Sequence, residues 1–165
     1  MMRYNKSKHQ VKERVKVKVL ITGDHAGMTL RNASKEVLDE LGFEYEDAGA
    51  DCSVSVDYPD YALPAAKRIA NGEFDRGIFI CGTGIGISIS ANKVKGIRSA
   101  LTHDVFSAKA TRKHNDANVL AMGERVIGSG LAKEIVRTFL TTDFEGGRHE
   151  GRINKIAKYE ASNDE

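Results

Sequence analysis

The sequence has no tryptophan, two cysteines and two prolines, and each scarcity removes a class of protein. Cys52 and Cys81 are too few for a disulfide framework, and neither lies in a Cys-x-x-Cys pair. Closely spaced Cys and His ligands for zinc are also missing, so no metal is expected. No apolar run approaches the roughly 20 residues that cross a bilayer. The N-terminus lacks the apolar core of a secretory signal, so a cytoplasmic chain without a membrane partner is expected. Nor is positive charge spread over the chain as a nucleic-acid binder requires. Residues 1–18 hold seven Lys and Arg side chains against Glu13 alone, and the remainder is net acidic. Residues 1–14 therefore read as a solvated, disordered basic leader, and 15–160 as one folded domain without repeats or linkers.

What is present is an alternation of strand and helix signals. Val15, Val17 and Val19 alternate with lysines and run into Leu20 and Ile21, which predicts a first strand. Leu30, Ala33, Val37, Leu38 and Leu41 then recur at helical spacing, with Gly42 placed to end the helix. A short strand is expected at 43–47. Asp60 is taken as the cap of a helix over 61–71, which puts Pro64 in its first turn, where no N–H is lost. Residues 77–81 form a continuous apolar run, the mark of a strand buried on both faces. A short helix to about Val94, a strand at 97–102, a helix at 104–114 and a strand at 118–122 follow. Ser129 is taken as the cap of the next helix, and a last helix starts near Gly147. The fold class is α/β: a three-layer α/β/α Rossmann-like sandwich with a parallel sheet of about five strands. In such sheets ligands bind at the carboxyl ends of the strands.

The turn after the third strand is rich in chemistry. Gly82-Thr83-Gly84-Ile85-Gly86 leaves backbone N–H groups free to face an anion at a helix N-terminus. The dinucleotide fingerprint fails because Ile87 stands where its third glycine belongs, and no GK[ST] of a P-loop follows. Cys81 immediately precedes the glycines. A cysteine ending a buried strand is often only a small apolar residue, but beside a helix N-terminus the thiolate is favoured, and thiolate is a competent base or nucleophile.

The stretch Ile80-Cys81-Gly82-Thr83-Gly84-Ile85-Gly86-Ile87-Ser88, continuing to Ala91-Asn92-Lys93, resembles the hallmark of ribose-5-phosphate isomerase B. That family also contains the galactose-6-phosphate isomerase subunits. Agreement extends to Gly23-Asp24-His25-Ala26-Gly27, Asp57-Tyr58-Pro59, His114-Asn115-Asp116-Ala117-Asn118, Gly123-Glu124-Arg125 and Glu145 through Arg152. The resemblance runs from about Val17 to Ile156 and leaves the basic leader outside.

The resemblance implies reversible conversion of D-ribose 5-phosphate and D-ribulose 5-phosphate through a cis-enediolate, without cofactor or metal. By it, Cys81 is the base that moves the proton between C2 and C1, with Thr83 beside it. An ordinary thiol titrates near about 8.5, so Cys81 must be activated or work from a minor thiolate fraction. The amides of Gly82, Gly84 and Gly86 form an anion hole for the enediolate, worth roughly 3–4 kcal/mol per donor in other enzymes. His114 opens the sugar ring, with His149 a weaker second candidate, and Asn115 bonds the substrate. Asp24 contacts sugar hydroxyls in the catalytic set, although it suits a cap for the first helix equally well. Tyr58 lines the pocket. Arg148 and Arg152, four apart and on one helical face, join Arg125 and His25 in a phosphate clamp. The family's pocket is shared between two subunits, so a homodimer (or a tetramer) is implied. His103 is read as loop structure, Cys52 as structural and His9 as part of the leader.

Three alternatives stay open at this level. They are an isomerase of a six-carbon aldose 6-phosphate of the allose or galactose type, a non-catalytic phosphosugar-binding module, and a nucleotide-binding domain. The failed glycine fingerprints disfavour the last. Cys81, Thr83 and His114 together disfavour the second, because a binder needs neither base nor ring-opening acid.

Overall fold

The computed structural model describes residues 17–51 and 53–162. The leader over residues 1–14, with His9, and Cys52 lie outside the described residues.

Five strands, β1 (Lys18–Gly23), β2 (Glu44–Asp47), β3 (Arg76–Cys81), β4 (Ser99–Leu101) and β5 (Val119–Gly123), form one parallel sheet in the order β2-β1-β3-β5-β4. Six α-helices connect and follow them: α1 (Met28–Leu41), α2 (Tyr58–Ala70), α3 (Ile85–Ala91), α4 (Val105–Asn115), α5 (Ser129–Thr141) and α6 (Arg148–Ser162). This is the expected three-layer α/β/α sandwich.

The central strands are buried on both sides, and their side chains alternate between two cores. Val19, Ile21, Ile78, Ile80, Leu120 and Met122 pack with Leu30, Val37 and Leu38 of α1, Ala108 of α4, and Ile135, Val136 and Phe139 of α5. Leu20, Phe79, Cys81, Val119 and Ala121 face the other way, onto Ala62, Ala65, Ala66 and Ile69 of α2 and Ile87 of α3. The chain passes from β1 outward to β2 and then crosses back over β1 to β3 on its other side, so the strand order reverses between β1 and β3. That reversal opens a crevice at the β1 and β3 tips.

Several expected boundaries move, each for a local reason. Gly42 does end α1, at φ 72° with its N–H on the Leu38 and Asp39 carbonyls. The second helix begins one turn earlier than expected, with Asp57 rather than Asp60 at its cap. Pro59 sets the first turn, where a missing N–H costs nothing. Pro64 consequently lies inside α2, not in its first turn. Gly128, not Ser129, caps α5, and Ser129 is its first helical residue. The third helix stops at Ala91, short of Val94, because Asn92 turns its amide to β4. There it donates to the Ser99 carbonyl at 2.9 Å and accepts from the Ser99 N–H at 2.8 Å. The fourth strand is shorter than 97–102, since the Arg98 backbone N–H goes to the Asn118 side chain at 2.8 Å and not to a strand carbonyl.

Among the described residues no helix is long and apolar enough to cross a membrane.

Candidate active site

Three strand tips meet at the crevice. Each bears chemistry because its chain must turn sharply there. Phe79 and Cys81 lie on the same face of β3, so the Cys81 side chain enters the α2–α3 side of the sheet and is 4% exposed. Its Sγ still finds a polar partner. Gly84, at φ 77°, caps α3 and points its N–H at the sulfur at 3.1 Å. The left-handed backbone that aims this N–H is one that glycine adopts at little cost. A side chain at Gly84 would also lie 2.6 Å from Leu101 Cδ1 and 2.7 Å from the Met122 carbonyl carbon. Of the three glycine amides expected to face an anion, Gly84's is therefore engaged by the thiol. Thr83 is exposed, and its hydroxyl accepts from the Ile85 N–H at 3.3 Å.

The neighbouring tips pack onto this turn. The Glu124 and Arg125 N–H groups donate to the Cys81 and Gly82 carbonyls at 3.0 and 2.9 Å. The Arg125 guanidinium lies over Gly82, where a Cβ would stand 3.2 Å from its Nη1. The Tyr58 ring covers Gly86 so closely that a Cβ there would be 2.5 Å from Cζ. Asp24 is buried at the tip of β1 and accepts from the Ala26 N–H at 2.9 Å, which caps the short 3-10 turn His25–Gly27 and not α1 itself. His25 Nδ1 accepts from the Val56 N–H at 3.1 Å, which ties the β1 turn to the segment before α2. On the β4 side, His103 Nε2 accepts from the Gly123 N–H at 3.2 Å.

His114, Asn115, Arg148 and Arg152 are not in this crevice. The fourth helix starts beyond the carboxyl tip of β4 and runs back for 11 residues, roughly 16 Å at 1.5 Å per residue. Its last turn therefore lies at the amino edge of the sheet. There His114 stacks on His149 of α6, with ring centroids 4.5 Å apart and planes 19° from parallel. A cavity of about 250 Å³ is lined by Arg98, His114, Asn115, His149 and Arg152 with Ile153 and Ile156. Arg148 opens α6 beside them. Burial holds His149 below the ordinary imidazole value, and the His114 ring, Arg148 and Arg152 add to the effect. Glu145 is held below the usual carboxylate range by its bond from Lys113 at 2.7 Å.

The candidate residues of one chain thus form two separate groups, the two halves of the expected site. The carboxyl-edge half holds Asp24, His25, Tyr58, Cys81, Thr83, the glycine amides and Arg125. The amino-edge half holds His114, Asn115, Arg148 and Arg152. Sequence reasoning gave Glu124 no role, and its only signal was membership of the Gly123-Glu124-Arg125 match. Its carboxylate reaches α1, as described below.

The sequence model of the Ribose/Galactose Isomerase family matches residues 19–156. Bacillus subtilis YwlF is 66% identical over 89% of this chain and 99% of its own, and its name places it with the sugar phosphate isomerases without specifying a sugar. Escherichia coli ribose-5-phosphate isomerase B is 47% identical over 87% of this chain and 96% of its own. Pectobacterium atrosepticum D-erythrulose-4-phosphate isomerase is 44% identical over 86% and 94%. Among solved structures, Clostridium thermocellum ribose-5-phosphate isomerase B superposes with a TM-score of 0.86 at 48% identity, covering 89% of this chain and 99% of that one.

Proposed function

The chain belongs to the ribose/galactose isomerase family, and from that premise we propose that it is an aldose–ketose isomerase of phosphorylated sugars, with ribose 5-phosphate and ribulose 5-phosphate as its pair. Its setting is the cytoplasmic interconversion of pentose phosphates.

The observation that carries this reading is Cys81 Sγ at the switch-point tip of β3, with a backbone N–H directed at it. The Gly84 N–H at 3.1 Å gives the sulfur a fixed donor as it exchanges a proton with the substrate. The thiolate takes the proton from C2, giving a cis-enediolate; the O2 proton passes to O1, and the resulting thiol returns its proton to C1. Negative charge then rests on the substrate oxygens. The Gly82 and Gly86 N–H groups, with Thr83 and Arg125 beside them, supply donors for it. Asp24 holds sugar hydroxyls and Tyr58 closes the crevice wall. His25 donates Nε2–H to a phosphate oxygen, and Arg125 takes part of the phosphate charge.

Ring opening and the rest of the phosphate grip are assigned to His114, Asn115, Arg148 and Arg152 of a second copy. The distance between the half-sites within one chain supports a homodimer. So does α6, in which only His149 is buried while Ile156 and Tyr159 stand 51% and 70% exposed. Such apolar exposure on one helix fits an interface.

A second reading concerns the length of the sugar. The four-carbon activity in the name of the Pectobacterium relative keeps shorter substrates in view, and six-carbon aldose 6-phosphates differ from ribose 5-phosphate by one carbon. A direct isomerase assay over four-, five- and six-carbon aldose phosphates decides among them. The greatest kcat/KM is expected for ribose 5-phosphate. Turnover of none of them, with binding retained, would make the protein a phosphosugar-binding module.

A further inference from the structure

Glu124 has the most unusual set of partners among the residues the proposed reaction leaves unused. The N-terminus of α1 has no side-chain cap of its own, since its cap residue is Gly27. Glu124 Oε2 supplies that cap from 95 residues away, accepting the Thr29 N–H at 2.8 Å and the Leu30 N–H at 3.1 Å. At the same time its backbone N–H donates to the Cys81 carbonyl at 3.0 Å. One residue therefore ties together the β1 turn that carries Asp24 and His25, the β3 tip that carries Cys81, and the β5 turn that carries Arg125.

The chemistry of the cap favours a carboxylate. First-turn N–H groups have no helical partner, and the positive end of the helix attracts negative charge. A capping side chain so far along the sequence contributes something a local cap cannot: it fixes one turn against another. The turns it fixes carry His25, whose Nδ1 is taken by the Val56 N–H so that Nε2–H is left as a donor, and the Arg125 guanidinium. Arg125 has no freedom to follow the β1 turn if the two part, because its own N–H is pinned to Gly82.

We propose that Glu124 is a positioning residue, which caps α1 across the sheet and thereby sets the separation of His25 and Arg125 to span a phosphate group. The inference rests on the proposed phosphate-binding role of that edge. A displacement of a fraction of an ångström in one ligand weakens a two-point grip without touching the base at Cys81. The defect should therefore appear in binding and not in the proton transfer.

The experiment compares Glu124→Ala, Glu124→Gln and Arg125→Ala in the full-length protein. It reads steady-state constants with ribose 5-phosphate, the inhibition constant of inorganic phosphate and the thermal midpoint. Glu124→Ala is expected to raise KM and the phosphate inhibition constant together by about tenfold, with kcat changed less than about threefold. Glu124→Gln keeps an oxygen that can accept both N–H groups and is expected to restore both constants to within about twofold. Adding Glu124→Ala to Arg125→Ala should cost less than it does alone, because the two act through one ligand. A lowered thermal midpoint with KM and the phosphate constant unchanged would make Glu124 a structural cap only, and would overturn the proposal. So would a loss confined to kcat. If Arg125→Ala itself leaves both constants unchanged, the phosphate assignment of this edge fails first and takes the proposal with it.

Discussion

The Gly84 N–H points at Cys81 Sγ across 3.1 Å, so the turn that begins α3 also solvates the thiol at the end of β3. That contact puts the proposed base and its stabilising donor within three residues of one another. Replacing Cys81 by Ala removes the proton acceptor while leaving the Arg125 and Tyr58 walls in place. The loss in kcat should be at least about a hundredfold. Protection from thermal unfolding by ribose 5-phosphate should persist. A variant that still turned over at near the wild-type rate would remove Cys81 from the reaction.

Arg152 lines the amino-edge cavity with His114 and Asn115. A phosphate keeps its charge through the reaction, so an arginine that holds it binds ground and transition states alike. Arg152→Ala, and Arg148→Ala with it, should raise KM about ten- to a hundredfold and leave kcat nearly intact. Steady-state kinetics with ribose 5-phosphate check this. A fall in kcat alone would place these groups at the reacting carbons instead.

The separation of the half-sites makes a complementation test possible. Cys81→Ala and His114→Ala chains are each expected to be inactive. Co-expressed at equal levels, half of their dimers should be mixed, and each mixed dimer holds one intact site of two. Activity of about a quarter of wild type is the expected outcome for a two-fold dimer with shared sites. Activity no higher than the parents' would return His114 to its own chain or remove it from the reaction.

The residues that could be read from the sequence were those whose chemistry and local backbone depend on one another. The run from Gly77 to Cys81 had to be a buried strand, and the glycines after it had to turn, so the site at the β3 tip followed from neighbours in the chain. The ends of elements failed wherever a competing signal sat nearby. Asp57 displaced Asp60 as the cap of α2, with Pro59 in its first turn, and Gly128 displaced Ser129 at α5. Asn92 left α3 for the edge strand. What no local pattern could reveal was contact between distant helices: the His114–His149 stack joins α4 to α6, and the Glu124 cap joins β5 to α1. The division into two half-sites was likewise implied only by family resemblance, because the direction in which α4 returns along the sheet emerges from the assembled fold.

His149 provides a pH test of that stack. It is buried against His114, with Arg148 and Arg152 nearby and Glu145 as the acidic group facing it among the described residues; its pKa lies below the ordinary 6.5. Between that lowered value and 6.5 the unfolded chain binds a proton that the folded chain refuses. Stability therefore rises with pH through this window and declines as pH falls below 6.5. Glu145 titrates below the ordinary 4.5 and contributes its slope at more acid pH. Denaturant midpoints measured from about pH 5 to 7.5 should slope upward in the wild type and flatten in His149→Asn. An unchanged slope in the variant would mean that another group titrates there.

Arg31 and Asp47 give the last test, on the segment that leads toward Tyr58. Arg31 is 7% exposed. Its Nε and Nη2 donate to Asp47 Oδ1 at 3.0 and 2.6 Å, and its Nη1 donates to the Ala50 carbonyl at 2.6 Å. Burial alone would raise the Asp47 pKa, but bonds from Lys35, the Gly49 N–H and Arg31 hold it below the ordinary 3.8. Asp47→Asn leaves a buried guanidinium without its counter-charge and should cost about 2–4 kcal/mol at neutral pH. A group whose folded pKa is depressed gives stability above its unfolded value and loses it as pH falls through the folded one. The gap between variant and wild type should therefore be full at pH 7 and shrink below the ordinary 3.8, as the wild-type carboxylate takes up its proton. Urea midpoints at neutral and strongly acid pH measure both. A gap of equal size at the two would assign the loss to packing around Gly49, where a Cβ would already lie 2.3 Å from Arg31 Cζ, and not to charge.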